Sequence, residues 1–196
     1  MISRAIPAAD LRLHNGRLLL TPEDPMAAAP SQTLSERLRE AGLIATASSA
    51  GTMRFAPGDR FFDYVGFTGC AVHVGPGSDG ATGLDIEIEG PFEAPALRRG
   101  RETRPPRCPQ CRRTLPDWLE QMEQTTNGAQ APVLCCTGCG TKAPGWRWTW
   151  GRHGGFGRLF IRLEPVFPGE GRPLPALFRL LEQLGLGPWH YFSVQD

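Results

Sequence analysis

Two pairs of cysteines constrain this sequence more than any other feature. The first pair is Cys108 and Cys111, the second is Cys136 and Cys139, and each pair encloses two residues. Thiolates at this spacing can turn toward one ion, and four of them complete the tetrahedral coordination that zinc prefers. The connecting residues 112–135 are slightly longer than the commonest connection but compatible with a single site. The sequence therefore predicts that these four cysteines bind one structural zinc ion.

The alternatives to a metal site are a redox-active pair and thiols that lie close together by accident. A redox role requires a thiol of low pKa at the start of a helix that follows a strand, and the sequence around Cys108 lacks that context. Cys135 is one residue too far from Cys139 to form the same turn, so we assign it to packing. Four thiolates leave no open coordination position, and we expect no catalysis at the zinc ion.

Residues 105–143, which contain both cysteine turns, resemble the zinc-ribbon class, in which two such turns cap short strands. The resemblance covers this segment alone and identifies no family for the rest of the chain. It implies a residue with positive φ after the second cysteine of each turn, and Gly140 meets that need after Cys139. Arg112 stands at the corresponding place after Cys111 and departs from the pattern.

A short helix is expected between the two cysteine turns. Thr114 and Asp117 have the spacing of a helix cap, and Asn127-Gly128 ends the pattern. Apolar side chains between these points fall on one helical face: Leu115, Trp118, Leu119 and Met122. We expect this helix to cover the zinc site.

The sequence as a whole predicts an α+β fold with an antiparallel sheet, two or three short helices and an inserted four-cysteine zinc ribbon. Alternating apolar and charged residues in 84–89 predict a strand with one buried face. Thr33 and Glu36 form a capping box before an amphipathic segment, and leucines at helical spacing in 174–184 predict a second helix. Further strands are expected at 43–47, 61–65, 67–74 and 189–194, and a hairpin is expected around Asn15-Gly16.

The domain organisation follows from where these elements lie. Residues 1–104 and 144–196 are predicted to pack together as one α+β domain, into which the zinc-ribbon module 105–143 is inserted. The C-terminal part is expected to run β-β-α-β, with the turn 151–155 joining strands at 146–150 and 158–163. Two separate small sheet domains are the alternative.

A block of arginines surrounds the first cysteine pair and is the best indication of a partner. The whole chain has a net charge of +1, yet residues 98–113 carry seven arginines against Glu102 alone. A concentrated positive charge of this kind attracts phosphates or acidic protein surfaces. The sequence therefore predicts contact with nucleic acid or an acidic protein through Arg98, Arg99, Arg101, Arg104, Arg107, Arg112 and Arg113.

A second candidate site is the loop formed by Arg152, His153, Gly154 and Gly155. Glycines let a ligand approach the main chain closely, and a histidine can transfer protons at neutral pH. A long hairpin loop is the alternative explanation, and no phosphate-loop or familiar hydrolase motif is present in the sequence. Tryptophans at 146, 148 and 150 can stack on a ligand, but their alternation favours a place in the core.

The favoured interpretation is a non-enzymatic zinc-binding adaptor or regulatory protein with an arginine-rich surface for an acidic partner. One alternative is an enzyme that uses the His153 loop and a purely structural zinc ion. Another is a small-ligand or carbohydrate binder that uses aromatic faces. No apolar run is long enough for a membrane helix and residues 1–20 lack a secretory signal, so we expect a cytoplasmic protein without membrane contact. Arginine supplies nearly all the basic residues, a bias typical of GC-rich codon usage and of a bacterial source.

Overall fold

The computed structural model describes residues 16–45, 53–68, 83–125 and 132–195. Within these ranges the chain has the predicted α+β fold, with a five-stranded antiparallel sheet, three two-stranded sheets and three α-helices. Most elements are short, in keeping with the many glycines and prolines that interrupt the sequence.

The strands are β1 (Gly16–Pro22), β2 (Arg54–Phe55), β3 (Val65–Phe67), β4 (Asp85–Glu89), β5 (Ala96–Arg99), β6 (Val133–Cys135), β7 (Lys142–Pro144), β8 (Gly154–Gly157), β9 (Phe160–Glu164), β10 (Gly171–Pro173) and β11 (Trp189–Gln195). The helices are α1 (Ser31–Glu40), α2 (Trp118–Thr125) and α3 (Pro175–Glu182). Single 3₁₀ turns occupy Phe61–Asp63 and Gly145–Arg147.

The five-stranded sheet has the order β11-β1-β9-β4-β2, and every neighbouring pair is antiparallel. It combines strands that precede the cysteine segment with strands that follow it. The chain leaves the sheet after β4, forms β5, passes through the cysteine segment and returns as β8, which pairs with β5. The β5–β8 pair is thus the connection between the sheet and the cysteine segment.

Helices α1 and α3 cover one face of the sheet. The alternation predicted for 84–89 is confirmed, because Leu84, Ile86 and Ile88 are all buried in the main core. The helices contribute their apolar stripes to the same core, with Leu34 and Leu38 from α1 and Leu177 and Leu181 from α3. Burial of such side chains contributes about 2 kcal/mol each, which makes this core the main source of stability in the sheet.

The β5–β8 pair lies over an apolar part of the opposite sheet face. This part contains Leu19, Phe160, Phe192 and Val194. Glycine is required on β8 because a Cβ atom on Gly155 would lie 2.7 Å from the Phe192 ring. The glycines of β8 therefore allow one pair of strands to approach another closely.

Two predicted strands are wrong. Residues 61–63 form a 3₁₀ turn, and the strand begins only at Val65. Residues 146–150 do not form a strand, although their tryptophans alternate, because two buried indoles bond to nearby carbonyls. Trp148 Nε1 donates to Ala143 O at 3.2 Å, and Trp150 Nε1 donates to Gly145 O at 2.8 Å. These bonds draw the chain into an irregular path around the cysteine segment, and β8 pairs with β5 instead of forming a hairpin with β9.

Other predicted elements are confirmed only in part. Strand β1 begins at Gly16 and pairs with β11 and β9, while the first arm of the expected hairpin lies outside the described residues. In the segment 43–47, Ile44 makes an isolated bridge to Pro57. Strand β3 ends at Phe67, and most of the expected strand 67–74 falls in the undescribed range 69–82. The helices expected near 33–41 and 174–184 and the strand at 189–194 are confirmed. The capping box predicted from Thr33 is wrong, because α1 begins at Ser31 and Thr33 lies within it.

Candidate metal centre

The first cysteine turn is held by three hydrogen bonds that backbone N–H groups donate, two to carbonyl oxygens and one to a cysteine sulfur. The N–H of Arg112 donates to Cys108 O at 3.0 Å, and the N–H of Cys108 donates to Arg113 O at 2.8 Å. The N–H of Gln110 points at Cys108 Sγ from 3.4 Å. A backbone donor aimed at sulfur stabilises the thiolate form, which is the form that binds a metal.

The second cysteine turn repeats this arrangement bond for bond. The N–H of Gly140 donates to Cys136 O at 2.9 Å, and the N–H of Cys136 donates to Thr141 O at 2.9 Å. The N–H of Gly138 points at Cys136 Sγ from 3.4 Å, the same distance as in the first turn. The two turns are therefore equivalent halves of one site.

The departure at Arg112 does not change the turn. Arg112 has a φ of 63°, close to the 72° of Gly140 at the corresponding place. Among the described residues, Arg112 is the one non-glycine residue with positive φ. A side chain in this left-handed conformation costs about 1 kcal/mol, so the turn forces the conformation on an unfavourable residue.

The four cysteine sulfurs lie within 4.8 Å of one another. Cys108 Sγ is 3.7 Å from Cys139 Sγ, and Cys111 Sγ is 3.6 Å from Cys136 Sγ. Four sulfurs about 2.3 Å from a central ion, at tetrahedral angles, are separated by about 3.8 Å. The sulfur positions thus fit a tetrahedral ion that is bound by all four residues. A tetrahedral set of four sulfurs suits zinc or iron, so the geometry defines a metal-binding cluster without naming the metal.

The environment gives these thiols unequal acidities. Hydrogen bonds from the side chain and backbone of Thr141 lower the pKa of Cys139 to about 6, and the Thr141 hydroxyl lies 3.1 Å from Cys139 Sγ. The backbone N–H of Arg113 lowers the pKa of Cys111, but desolvation and the other three thiols outweigh it and raise that pKa to about 11. Thiols this close resist simultaneous ionisation, and a bound cation eases the conflict because its positive charge attracts all four thiolates.

A small hydrophobic core holds the two turns together. It contains Cys108 and Cys136 with Leu115, Trp118, Leu134, Ala143, Trp148, Trp150 and Phe156. Ring contacts extend it toward the sheet, because Trp150 stacks edge-on against Trp118 at 5.0 Å and against Phe156 of β8 at 5.5 Å. The core position favoured for the tryptophans is confirmed for Trp148 and Trp150, which are buried, and Trp146 packs against the same cluster.

The expected helix between the turns is α2, and it packs against this core. Its residue Gln121 fixes the second turn, because Gln121 Oε1 accepts from Cys135 N at 2.8 Å and Gln121 Nε2 donates to Cys135 O at 3.1 Å. Leu119 was expected on the buried face but is 41% exposed. The reason is that α2 begins only at Trp118, and its first turn directs Leu119 away from the core. Cys135 is outside the four-sulfur cluster.

The seven arginines predicted to bind a partner occupy different environments. Arg98 forms an ion pair with Glu89 at 2.6 Å and lies over the rings of Phe92 and Phe160. The Arg99 guanidinium lies 5.7 Å from the centre of the Trp118 ring. Arg99 is also exposed, and in the described part of the chain no ion pair involves it or the other five: Arg101, Arg104, Arg107, Arg112 and Arg113. All five are exposed.

The candidate ligand loop is divided between a strand and a surface turn. Gly154 and Gly155 are buried in β8, where the lack of a side chain lets Gly155 pack against Phe192 and Gly154 against Thr103. Arg152 is exposed and His153 is half-buried. The His153 carbonyl accepts a hydrogen bond from the Thr103 hydroxyl, and the Arg152 carbonyl accepts one from Ser193 N at 3.1 Å. Both residues therefore have an anchored backbone.

An ion-pair network on the sheet was missed at the sequence level. Arg162 of β9 bonds to Glu87 and lies 3.1 Å from Glu89 and 3.5 Å from Glu164, while Arg54 donates to Glu87 at 2.8 Å. Burial raises the pKa of Glu87. The hydrogen bond from Arg54 and the charge of the nearby Arg162 lower it by a larger amount, so the pKa of Glu87 lies below its ordinary value. The signal was present in the alternation of 84–89, which places both glutamates on one face opposite the apolar residues.

No family model, no curated protein and no solved structure matches this chain. Among the described helices, none is long and apolar enough to cross a membrane. The fold and the four-cysteine cluster characterise this chain as an α+β protein with four thiols placed so that they could hold one metal ion.

Proposed function

We propose that this protein is a zinc-binding adaptor or regulatory protein, without enzymatic activity, whose arginine-rich surface binds an acidic partner. The observation that carries the proposal is the pair of equivalent cysteine turns, each with a backbone N–H 3.4 Å from a cysteine sulfur. Such turns complete a closed coordination sphere, which is typical of structural zinc. Zinc in this position stabilises the module and leaves no site for a substrate at the metal.

The arrangement of arginines supports a binding role. Residues 98–113 carry seven arginines and one glutamate, and all of those arginines except Arg98 are exposed and form no ion pair with described residues. An exposed cation without a partner contributes little to folding, whereas several together attract an anionic surface. The cysteine turns hold Arg107, Arg112 and Arg113 close to the metal site, so the bound ion makes their placement rigid.

Charge reversal tests this role. We expect the combined variant Arg104→Glu, Arg107→Glu and Arg112→Glu to elute from an anionic resin, such as heparin, at clearly lower salt than the wild type. Arg147 and Arg179 are exposed and form no ion pair with described residues, so the double variant Arg147→Glu and Arg179→Glu is a suitable control. Zinc content and far-UV circular dichroism should be unchanged in both variants. Equal elution of the two variants across the salt series would contradict the proposal.

A further inference from the structure

Two surface cavities meet at Arg152 and His153. The first has a volume of about 510 Å³ and is lined on its other side by Arg104 and Arg107. The second has a volume of about 430 Å³ and extends to Arg172 and Tyr191. We call these two adjoining cavities together the arginine groove and define it by Arg104, Arg107, Arg152, His153, Arg172 and Tyr191. It joins the arginine-rich segment to the His153 loop, two features that are far apart in the sequence.

The charge of the arginine groove is uncompensated. None of the described residues that line either cavity is Asp or Glu. Its four arginines are exposed, and none of them forms an ion pair within the described part of the chain. Guanidinium groups that share a depression repel one another, and an anion bound between them relieves this repulsion.

The backbone of the groove is held in place on several sides. The N–H of Arg107 donates to Thr149 O at 2.9 Å, and the N–H of Thr149 donates to Arg107 O at 3.1 Å. The Arg152 carbonyl is bonded to Ser193 of β11, and the His153 carbonyl is bonded to the Thr103 hydroxyl. Cys108 follows Arg107 directly, so the first cysteine turn adjoins the groove. A backbone anchored in this way loses little entropy when the site binds a ligand, so the ordering cost falls mainly on the arginine side chains.

An aromatic side chain is present at the far end of the groove. Tyr191 of β11 is 38% exposed, and its ring lies 6.3 Å from that of Phe178 on α3. An exposed ring beside arginines is the combination that proteins use to bind single strands, since the guanidinium groups contact phosphates and the ring stacks on a base. The carboxylates of an acidic peptide do not stack on a ring, and an isolated phosphate is too small to occupy two adjoining cavities.

We propose that the arginine groove binds single-stranded nucleic acid, with its arginines on successive phosphates and Tyr191 stacked on a base. The inference rests on the proposed function, because it names the acidic partner and the surface that binds it. Two of its cations, Arg152 and Arg172, lie outside the arginine-rich segment 98–113, so the groove can be tested separately from that segment.

The test is fluorescence anisotropy with labelled oligothymidylate and oligouridylate of about 16 nucleotides, since single-strand sites span about 4–16. We expect both probes to bind, and the tighter one identifies the natural kind of strand. Four phosphate contacts predict that the logarithm of the association constant falls with the logarithm of salt concentration with a slope of about −3. Arg152→Ala and Arg172→Ala should each reduce the steepness of this slope by about 0.7, whereas Arg179→Ala, outside the groove, should leave it unchanged.

Tyr191 supplies the second part of the test. Loss of one stacked base predicts that Tyr191→Leu weakens binding about fivefold or more, while Tyr191→Phe keeps the ring and most of the affinity. Equal affinity of Tyr191→Leu and the wild type would overturn the stacking contact, and unchanged salt slopes in both arginine variants would overturn the groove as the site.

Failure of this inference is distinguishable from failure of the proposed function. Binding of polyglutamate that depends on Arg104 and Arg107, with no binding of either oligonucleotide, would overturn the nucleic-acid inference and leave the adaptor role intact. Preference for a duplex over both single strands would also overturn it. Absence of binding to every anionic probe would overturn both proposals together.

Discussion

Arginine has opposite roles in the sheet and around the cysteine turns. On the sheet, Arg162 lies among Glu87, Glu89 and Glu164, and its side chain is 15% exposed. Around the turns, Arg104 and Arg107 are exposed and form no ion pair with described residues. The role of an arginine therefore cannot be read from the sequence until its partners are known. An arginine paired with a carboxylate contributes to the fold, whereas an unpaired one is available to a ligand.

The two regions also differ in what stabilises them. The sheet has a large core, to which two helices contribute their apolar faces. The cysteine region has a smaller core, of which Cys108 and Cys136 are themselves members. We therefore expect the sheet to fold without metal and the cysteine region to depend on it.

Removal of the metal should have the largest effect. Binding of structural zinc contributes about 10–16 kcal/mol in small zinc domains, so a strong chelator should unfold the cysteine region. Hydrogen exchange followed by mass spectrometry should show loss of protection in α2, β6 and β7 with retained protection in β1, β9 and β11. Uniform loss of protection in all six elements would show that the two regions are not separately stabilised.

A core substitution in the sheet should have the next largest effect. It should destabilise the sheet and leave the metal site unchanged. Ile161 is 1% exposed in the central strand β9, so Ile161→Ala should reduce the free energy of unfolding by about 2–5 kcal/mol. Metal content should stay at the wild-type value. Urea unfolding monitored by circular dichroism measures the free energy of unfolding, and elemental analysis measures the metal content. A loss of metal in the folded variant would show that the two regions are not independent.

The ion-pair network predicts a pH-dependent effect of about 1 kcal/mol. Arg54 and Arg162 hold the pKa of Glu87 below its ordinary value of 4.5, so ionised Glu87 stabilises the fold above that pH and loses this contribution as the pH falls through the lowered value. Glu87→Gln should reduce the free energy of unfolding by about 1 kcal/mol at pH 7, and the difference should shrink as the pH falls below the ordinary pKa of a glutamate. Glu182→Gln, an exposed change on α3, serves as the control in denaturant titrations at pH 7 and below that pKa.

The smallest predicted effect concerns the strained residue of the first cysteine turn. Arg112→Gly relieves the left-handed conformation, whereas Arg112→Ala removes the same charge and keeps the strain. We expect the glycine variant to be more stable than the alanine variant by about 1 kcal/mol, measured as a higher thermal midpoint of the metal-loaded protein. Equal midpoints would mean that the turn imposes no strain at this position.

Local sequence patterns predicted the elements that depend on local forces. The alternation in 84–89 and the leucine spacing in 174–184 led to a strand and a helix because each is stabilised by a single apolar face. The cysteine cluster was predictable for a similar reason, since the spacing within each pair fixes the turn. Even Arg112, which departs from the pattern, takes the conformation that the turn requires.

Features that depend on distant partners were not predictable. Alternating tryptophans suggested a strand at 146–150, but the bonds from Trp148 and Trp150 to main-chain carbonyls determine the path of that segment. The glycines at 154 and 155 suggested a ligand loop, but the packing of Gly155 against Phe192 depends on how β8 is placed over the sheet. The pairing of Arg98 with Glu89 likewise depends on how β5 is placed beside β4.

The most direct test of the central claim is the metal content per chain, measured by inductively coupled plasma mass spectrometry on protein purified without chelators. Cys136→Ser and Cys135→Ser form a matched pair, since they change adjacent cysteines of which only Cys136 belongs to the four-sulfur cluster. The account predicts about one zinc ion per chain in the wild type and in Cys135→Ser, with loss of zinc in Cys136→Ser. Iron in place of zinc, or equal zinc in both variants, would contradict it.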